Sequence, residues 1–132
     1  MYNSVYEFIP YFESKPTVGT WEGLEDLAAG VLTFPVVNYH PDFSRFVEAC
    51  MASGIMDVDY VTILSEHNCQ HLPCDEALEF IKQADMLLCR AVLTKCLRQE
   101  RFNTGSWLRN TDSGIFLALL KRLKELDANE EV

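Results

Sequence analysis

The stretch that decides the fold runs from Asp85 to Leu126 and reads DMLLCRAVLTKCLRQERFNTGSWLRNTDSGIFLALLKRLKEL. Apolar residues recur in it every three or four positions, which is the spacing of one face of an α-helix. Its two apolar halves are joined by a connection that contains Gly105 and is rich in asparagine, glycine and aspartate. Residues of these types favour turns, so the stretch predicts a C-terminal helical hairpin.

The first helix of this hairpin, from Asp85 to Phe102, is apolar on nearly all of its surface. Placing its residues at intervals of about 100° leaves one narrow stripe of polar side chains. The members of that stripe are Arg90, Thr94, Arg98 and Arg101. A helix that is apolar almost all round is usually buried. We therefore predict that this helix, capped by Asp85, lies at the centre of the domain.

The rest of the chain predicts shorter helices and little β-structure. A first short helix is expected to be capped by Ser4. Further helices are expected at residues 20–29, 41–53 and 73–84, and a short one is expected to run from a cap at Asp57 or Asp59 to about residue 65. Residues 31–39 are β-branched and aromatic, which favours a lone short strand or an extended loop, with a small two-stranded sheet as the alternative. The predicted fold class is all-α or nearly so: one domain of about six helices over residues 1–126, followed by an acidic flexible tail at 127–132.

The same C-terminal stretch resembles the signature of a bacterial family of unknown function. The residues that carry the resemblance are Leu93-Thr94, Arg98, Arg101-Phe102, Gly105, Gly114 and Arg122-Leu123, with Ile9-Pro10-Tyr11-Phe12 near the start. The middle of the chain departs from that family, because Asp59-Tyr60 stands where the family has a tryptophan-bearing segment. The resemblance implies a small, mainly helical intracellular domain, and it transfers no catalytic residue.

The charge of the chain is unevenly distributed. Its net charge is −9; residues 1–80 hold thirteen acidic and two basic residues, whereas residues 81–125 hold four acidic and nine basic ones. The favoured interpretation is that the acidic first part packs on the basic hairpin and neutralises it internally, although each such pair contributes only ~0–1 kcal/mol. The alternative is a basic strip that remains open for a phosphate, a nucleic acid or an acidic partner.

Composition also narrows the cellular setting. The longest apolar runs fall short of the ~20 residues that a membrane-spanning helix needs, and the first residues lack the basic start of a signal peptide. Five cysteines without regular spacing suit a reducing compartment better than a disulfide framework. We expect a cytoplasmic protein that does not contact membranes.

Two groups of residues are candidate sites. The first comprises His67, Cys69, His71 and Cys74, which are the ligand types that zinc prefers. Structural zinc sites usually join two separated ligand pairs, so an ordinary interhelical loop is favoured over a metal site here. The second is the arginine stripe together with the connection after it, where guanidinium groups and an indole can hold a planar or anionic ligand. Its members are Arg90, Arg98, Arg101, Trp107 and Arg109.

The functional prediction is a non-catalytic protein-interaction or regulatory module, with another protein or a second copy of the chain as partner. The alternative is a metal-binding protein or enzyme that uses the His67/Cys69/His71/Cys74 cluster, with zinc as its cofactor. Direct nucleic-acid binding is the weakest alternative, because the net negative charge opposes it.

Overall fold

A computed structural model describes residues 2–22, 30, 36–69 and 78–130, and most of them are helical. The helices are α1 (Asn3–Tyr6), α2 (Ile9–Glu13), α3 (Pro41–Ser53), α4 (Tyr60–Glu66), α5 (Leu78–Ile81), α6 (Met86–Arg98), α7 (Ser106–Asp112) and α8 (Ile115–Glu130), with a 3-10 turn at Gln99–Arg101 after α6. The strands are β1 (Gly19–Glu22) and β2 (Val36–Tyr39), which form a two-stranded antiparallel sheet. The predicted fold class is confirmed.

Helix α6 lies at the centre of this domain, as the sequence predicted. Eight of its residues are buried: Leu88, Cys89, Ala91, Val92, Leu93, Thr94, Cys96 and Leu97. Asp85 caps the helix through a hydrogen bond of 2.8 Å from the backbone N–H of Leu88 to its carboxylate. Helix α6 packs against α4 on one side and against α8 on the other, so the hairpin forms the middle of the core.

Aromatic rings join the first helices to this core. The ring of Phe12 lies 4.9 Å from that of Phe46 and 5.9 Å from that of Phe116, centroid to centroid. The ring of Phe43 lies 5.8 Å from that of Phe116. Phe43, Phe46 and Phe116 are fully buried, and buried rings of this size dominate core energetics. The N-terminal segment therefore packs against α8 directly, through Phe12, and also indirectly through α3.

The sheet corrects one helix prediction. Residues 20–22, predicted as the start of a helix over 20–29, form strand β1, which pairs with β2 in the register Gly19↔Tyr39 to Glu22↔Val36. Trp21 and its neighbour Thr20 are residue types that favour strands. A Cβ on Gly19 would meet the Val37 side chain at 2.8 Å, so only glycine fits this close pairing. Residues 23–29 and 31–35 lie outside the described part of the chain.

Helix termini agree with the sequence in the middle of the chain and differ at its ends. Asp59 caps α4 through its bond from the backbone N–H of Thr62, and Gly54 ends α3 with φ at 81°. Helix α1 begins at Asn3, with Tyr2 rather than Ser4 at the cap position. Helix α8 runs on to Glu130, so the acidic segment predicted to be a flexible tail from residue 127 begins inside a helix.

Asp127 explains this extension. Its side chain is buried, and it accepts hydrogen bonds from the Tyr6 hydroxyl at 2.9 Å and from the backbone N–H of Tyr2 at 3.3 Å. Burial alone raises the pKa of the Asp127 carboxyl, but the hydrogen bonds that the carboxylate accepts outweigh burial and lower its pKa. The last turns of α8 are thereby joined to α1.

We expect Asp127→Asn to lower the free energy of unfolding at pH 7 by about 1–2 kcal/mol, because hydrogen bonds to a carboxylate are stronger than those to an amide. A lowered pKa stabilises the fold at pH values above the ordinary value of 3.8, and the effect is lost as the pH falls through the folded-state value. Urea titrations of both proteins between pH 7 and pH 2 measure this. A difference that grows on acidification would contradict the assignment.

No helix in the described ranges combines the length and the apolar character that crossing a membrane requires.

Candidate functional site

The three arginines of the predicted stripe have different environments. Arg90 is half-buried and its guanidinium lies beside the C-terminus of α3. Its Nε donates to the carbonyl oxygen of Ile55 at 2.9 Å and its Nη2 to that of Gly54 at 3.0 Å. The guanidinium also lies 5.4 Å from the ring centroid of Tyr2. Arg90 therefore donates to two backbone carbonyl oxygens directly after the C-terminus of α3, which is a structural role.

Arg98 and Arg101 differ from Arg90, because both are exposed and neither has a carboxylate partner within 4 Å among the described residues. The guanidinium of Arg98 lies 5.7 Å from the ring centroid of Tyr60, and that of Arg101 lies 5.8 Å from that of Phe102. Cations over aromatic faces gain ~0.5–1 kcal/mol at exposed sites and keep their charge facing solvent. Among the described residues, no carboxylate of the first part neutralises these two arginines, so the favoured interpretation of internal neutralisation stays a prediction for them.

Two clefts open beside these arginines. The first has a volume of about 240 Å³ and is lined by Tyr60, Val61, Leu64, Lys95, Arg98, Gln99 and Phe102. The second has a volume of about 400 Å³ and is lined by Val47, Met51, Met56, Asp57, Leu97, Arg98, Arg101 and Trp107. Arg98 lines both clefts, so its cationic side chain lies between them.

Large apolar side chains around the clefts are exposed. Phe102 is 86% exposed, Met51 is 65% exposed and Val61 is 60% exposed. Scattered exposed apolar residues are ordinary on a protein surface, whereas these three lie beside neighbouring clefts. We name the surface formed by Met51, Val61, Arg98, Arg101 and Phe102 the arginine face.

Trp107 forms a fixed wall of the second cleft. Its Nε1 donates to the carbonyl oxygen of Leu97 at 2.9 Å. Its ring centroid lies 5.0 Å from that of Tyr39 and 5.4 Å from that of Phe43. The indole is half-buried among these rings. It is thus part of the packing that shapes the cleft, and it lies with Arg98 and Arg101 as the sequence grouping proposed.

Glu100 holds this wall in place, and sequence reasoning missed it. Its carboxylate accepts hydrogen bonds from the Tyr39 hydroxyl at 2.6 Å, the Gly105 N–H at 2.8 Å, the Ser106 hydroxyl at 2.9 Å and the Trp107 N–H at 3.1 Å. Two of these donors are backbone groups at the start of α7, where a negative charge is favourable. Burial, followed by the bond to Glu100, raises the pKa of Tyr39 well above its ordinary value, so its hydroxyl remains a donor.

Gly105 allows the turn that brings these donors to Glu100. Its φ is 90°, a left-handed conformation that glycine adopts without steric cost. A Cβ at this position would meet the Trp21 ring at 2.5 Å. The sequence indicated a turn at Gly105, but it did not identify Glu100 as the carboxylate that accepts hydrogen bonds from this turn.

Arg109 lies apart from the clefts. Its Nη2 donates to the Asn103 side-chain oxygen at 2.7 Å and its Nη1 to the Thr104 carbonyl oxygen at 3.4 Å. It does not line either cleft of the arginine face. Its contacts are those of a residue that stabilises the connection between α6 and α7.

The predicted metal cluster is only partly described. His67 Nδ1 lies 3.3 Å from the carbonyl oxygen of Ile63, and the Cys69 thiol donates to the carbonyl oxygen of His67 at 3.2 Å. His71 and Cys74 fall outside the described residues, so the zinc hypothesis stays a prediction. Within the described ranges, no three His, Cys, Asp or Glu side chains are grouped as metal ligands.

The three other cysteines of the chain are core residues. Cys50, Cys89 and Cys96 are buried. Burial raises the pKa of Cys50 and of Cys89 to about 12, so these two thiols are protonated at neutral pH and lack the thiolate that nucleophilic catalysis needs. The described side chains at the arginine face are cations and apolar groups, an arrangement suited to binding.

Comparison with known proteins gives one match. A sequence model described as a family of unknown function (DUF6508) matches residues 2–129. No curated protein matches the chain. No solved structure matches it either.

Proposed function

The chain belongs to the family of unknown function DUF6508, and we propose, from the geometry of its surface, that it is a non-catalytic protein-interaction module whose partner docks on the arginine face. The observation that carries the proposal is the combination of two guanidinium groups lacking carboxylate partners among the described residues with the 86% exposure of Phe102 beside them. The match confirms the predicted resemblance to a family of unknown function.

A partner would gain both apolar and charged contacts at this surface. Phe102, Met51 and Val61 expose apolar area to water, and covering such area contributes roughly 25 cal/mol per Å². Arg98 and Arg101 hold their charges at the edge of the same area, where a partner carboxylate can accept two parallel hydrogen bonds from a guanidinium. Aromatic residues and arginine are the residue types enriched at the energetic centres of interfaces.

The residues that form the walls of the second cleft are already fixed, so a partner would bind without rearranging them. Trp107 is fixed by its bond to the Leu97 carbonyl oxygen, and Glu100 fixes the start of α7 behind it. A surface that is already ordered loses less conformational entropy on binding. This rigidity supports a role as a docking module.

A charge-reversal pair tests the proposal. We expect Arg98→Glu/Arg101→Glu to abolish capture of the partner from a lysate of the source organism, because the reversed charges repel the partner's acidic groups. The captured protein is identified by mass spectrometry, purified and titrated against both proteins by calorimetry. Retained binding by the double variant would assign the interaction to another surface.

The chain offers a matched control for this experiment. Lys121 and Lys124 on α8 are also exposed cations three residues apart, and they lie outside both clefts. Lys121→Glu/Lys124→Glu changes the net charge by the same amount and should leave binding intact. If both double variants lose the partner equally, net charge rather than the arginine face governs the interaction.

A further inference from the structure

Arg98 separates two apolar clefts of different size. The first cleft has apolar walls from Tyr60, Val61, Leu64 and Phe102, and the second has apolar walls from Val47, Met51, Met56, Leu97 and Trp107. Their volumes of about 240 Å³ and 400 Å³ lie near or below the lower end of the ~300–1,000 Å³ typical of small-molecule sites. Each cleft therefore suits one or two side chains of a polypeptide.

The charges around the two clefts are mainly positive. Lys95 and Arg98 line the first cleft, and Arg98 and Arg101 line the second. Asp57 is the one carboxylate among the described residues that line them. The junction between the clefts is therefore cationic, whereas the cleft walls are mostly apolar.

We infer that the docking segment of the partner is an acidic amphipathic peptide with two apolar anchors, one for each cleft, and a carboxylate between them that pairs with Arg98. This inference rests on the proposed function and specifies the chemistry of the partner. Arg101, three residues after Arg98, provides a second guanidinium for a flanking carboxylate.

Contacts at the face favour this occupant over a nucleic acid. The net charge of −9 opposes a nucleic acid, a second copy and an acidic peptide alike at long range, so it does not choose among them. A phosphate backbone would leave Phe102 and Met51 without apolar contacts. A polypeptide with acidic and apolar residues side by side satisfies the cations and covers the apolar walls together.

A phage-displayed library of random 16-residue peptides provides the test. The library is selected on the full chain and counter-selected on the Arg98→Glu/Arg101→Glu variant, and the dissociation constants of enriched peptides are measured by fluorescence anisotropy. We expect a consensus with an aspartate or glutamate between two large apolar residues, and a loss of about tenfold or more in affinity on Arg98→Glu. Replacing the central acid of the peptide by lysine should restore binding to Arg98→Glu.

Several results would overturn the inference, and one of them would also overturn the proposed function. Enriched peptides that lack an acid, or that bind Arg98→Glu as well as the native protein, would overturn the inference while leaving a docking role for the face. A concentration-dependent dimer that Arg98→Glu dissolves, seen by light scattering, would assign the face to a second copy and overturn it as well. Tight binding of a DNA duplex that depends on Arg98 would overturn both proposals.

Discussion

Glu100→Ala is expected to be among the most destabilising substitutions of a residue that is only partly buried. It removes the acceptor of four hydrogen bonds that join the Tyr39 hydroxyl to the start of α7. Bonds to a charged group contribute about 1.5–3 kcal/mol each, but solvent replaces some of them at this half-buried site. We expect a loss of about 3 kcal/mol in the free energy of unfolding and a decrease of roughly 10 °C in Tm.

A second variant separates charge from shape at this position. Glu100→Gln keeps the size of the side chain and one acceptor oxygen, so it should cost about half as much as the alanine variant. Glu125→Ala is a suitable control, because Glu125 forms only an exposed pair with Arg122 on α8. Thermal and urea unfolding followed by circular dichroism measure all three. Equal, small effects for all three variants would show that the Glu100 contacts do not stabilise the fold.

Arg90→Met is the second large effect that we expect. The substitution retains an apolar stem of similar length but removes the Arg90 donor to the Ile55 carbonyl oxygen. It also removes one of the two donors to the Gly54 carbonyl oxygen, which keeps its bond from the Asp57 N–H. Leaving such groups unpaired costs about 1–3 kcal/mol. We expect a loss of about 2–3 kcal/mol, including the contact with the Tyr2 ring, and a lower Tm by several degrees.

The neighbouring arginines provide the contrast. Arg98→Met and Arg101→Met should each change the free energy of unfolding by less than about 0.5 kcal/mol, because both side chains are exposed. They should nevertheless weaken binding of the partner. If Arg98→Met and Arg90→Met destabilise equally, the division of the stripe into one structural arginine and two binding arginines is incorrect.

Local signals explain which parts of the fold were predictable. The three- and four-residue apolar spacing of 85–126 reports directly on one helical face, and the capping role of Asp85 depends only on the next turn of its own helix. Strand β1 was mistaken for a helix because its identity depends on a partner strand, β2, whose paired residues lie 14 to 20 positions further along the chain. Pairing over that distance leaves little trace in local spacing.

The candidate site was predictable only in its composition. Arg98, Arg101 and Trp107, which the sequence grouped, line one cleft because they follow one another from the end of α6 to the start of α7; their role in binding stays a prediction. Periodicity placed Phe102 on the central helix, but the 3-10 turn at Gln99–Arg101 ends that helix earlier, and the ring is exposed. Where a helix leaves the core depends on the packing of its neighbours, which the order of apolar residues does not specify.

The half-buried indole of Trp107 lies in the wall of the second cleft, so its fluorescence emission would report binding at the arginine face. The chain has two tryptophans, and one of them, Trp107, has its ring among the residues that a docked molecule would touch. Emission from an indole moves to shorter wavelength when water is excluded from it. Occupancy of the surface is therefore readable from native fluorescence without attaching a dye.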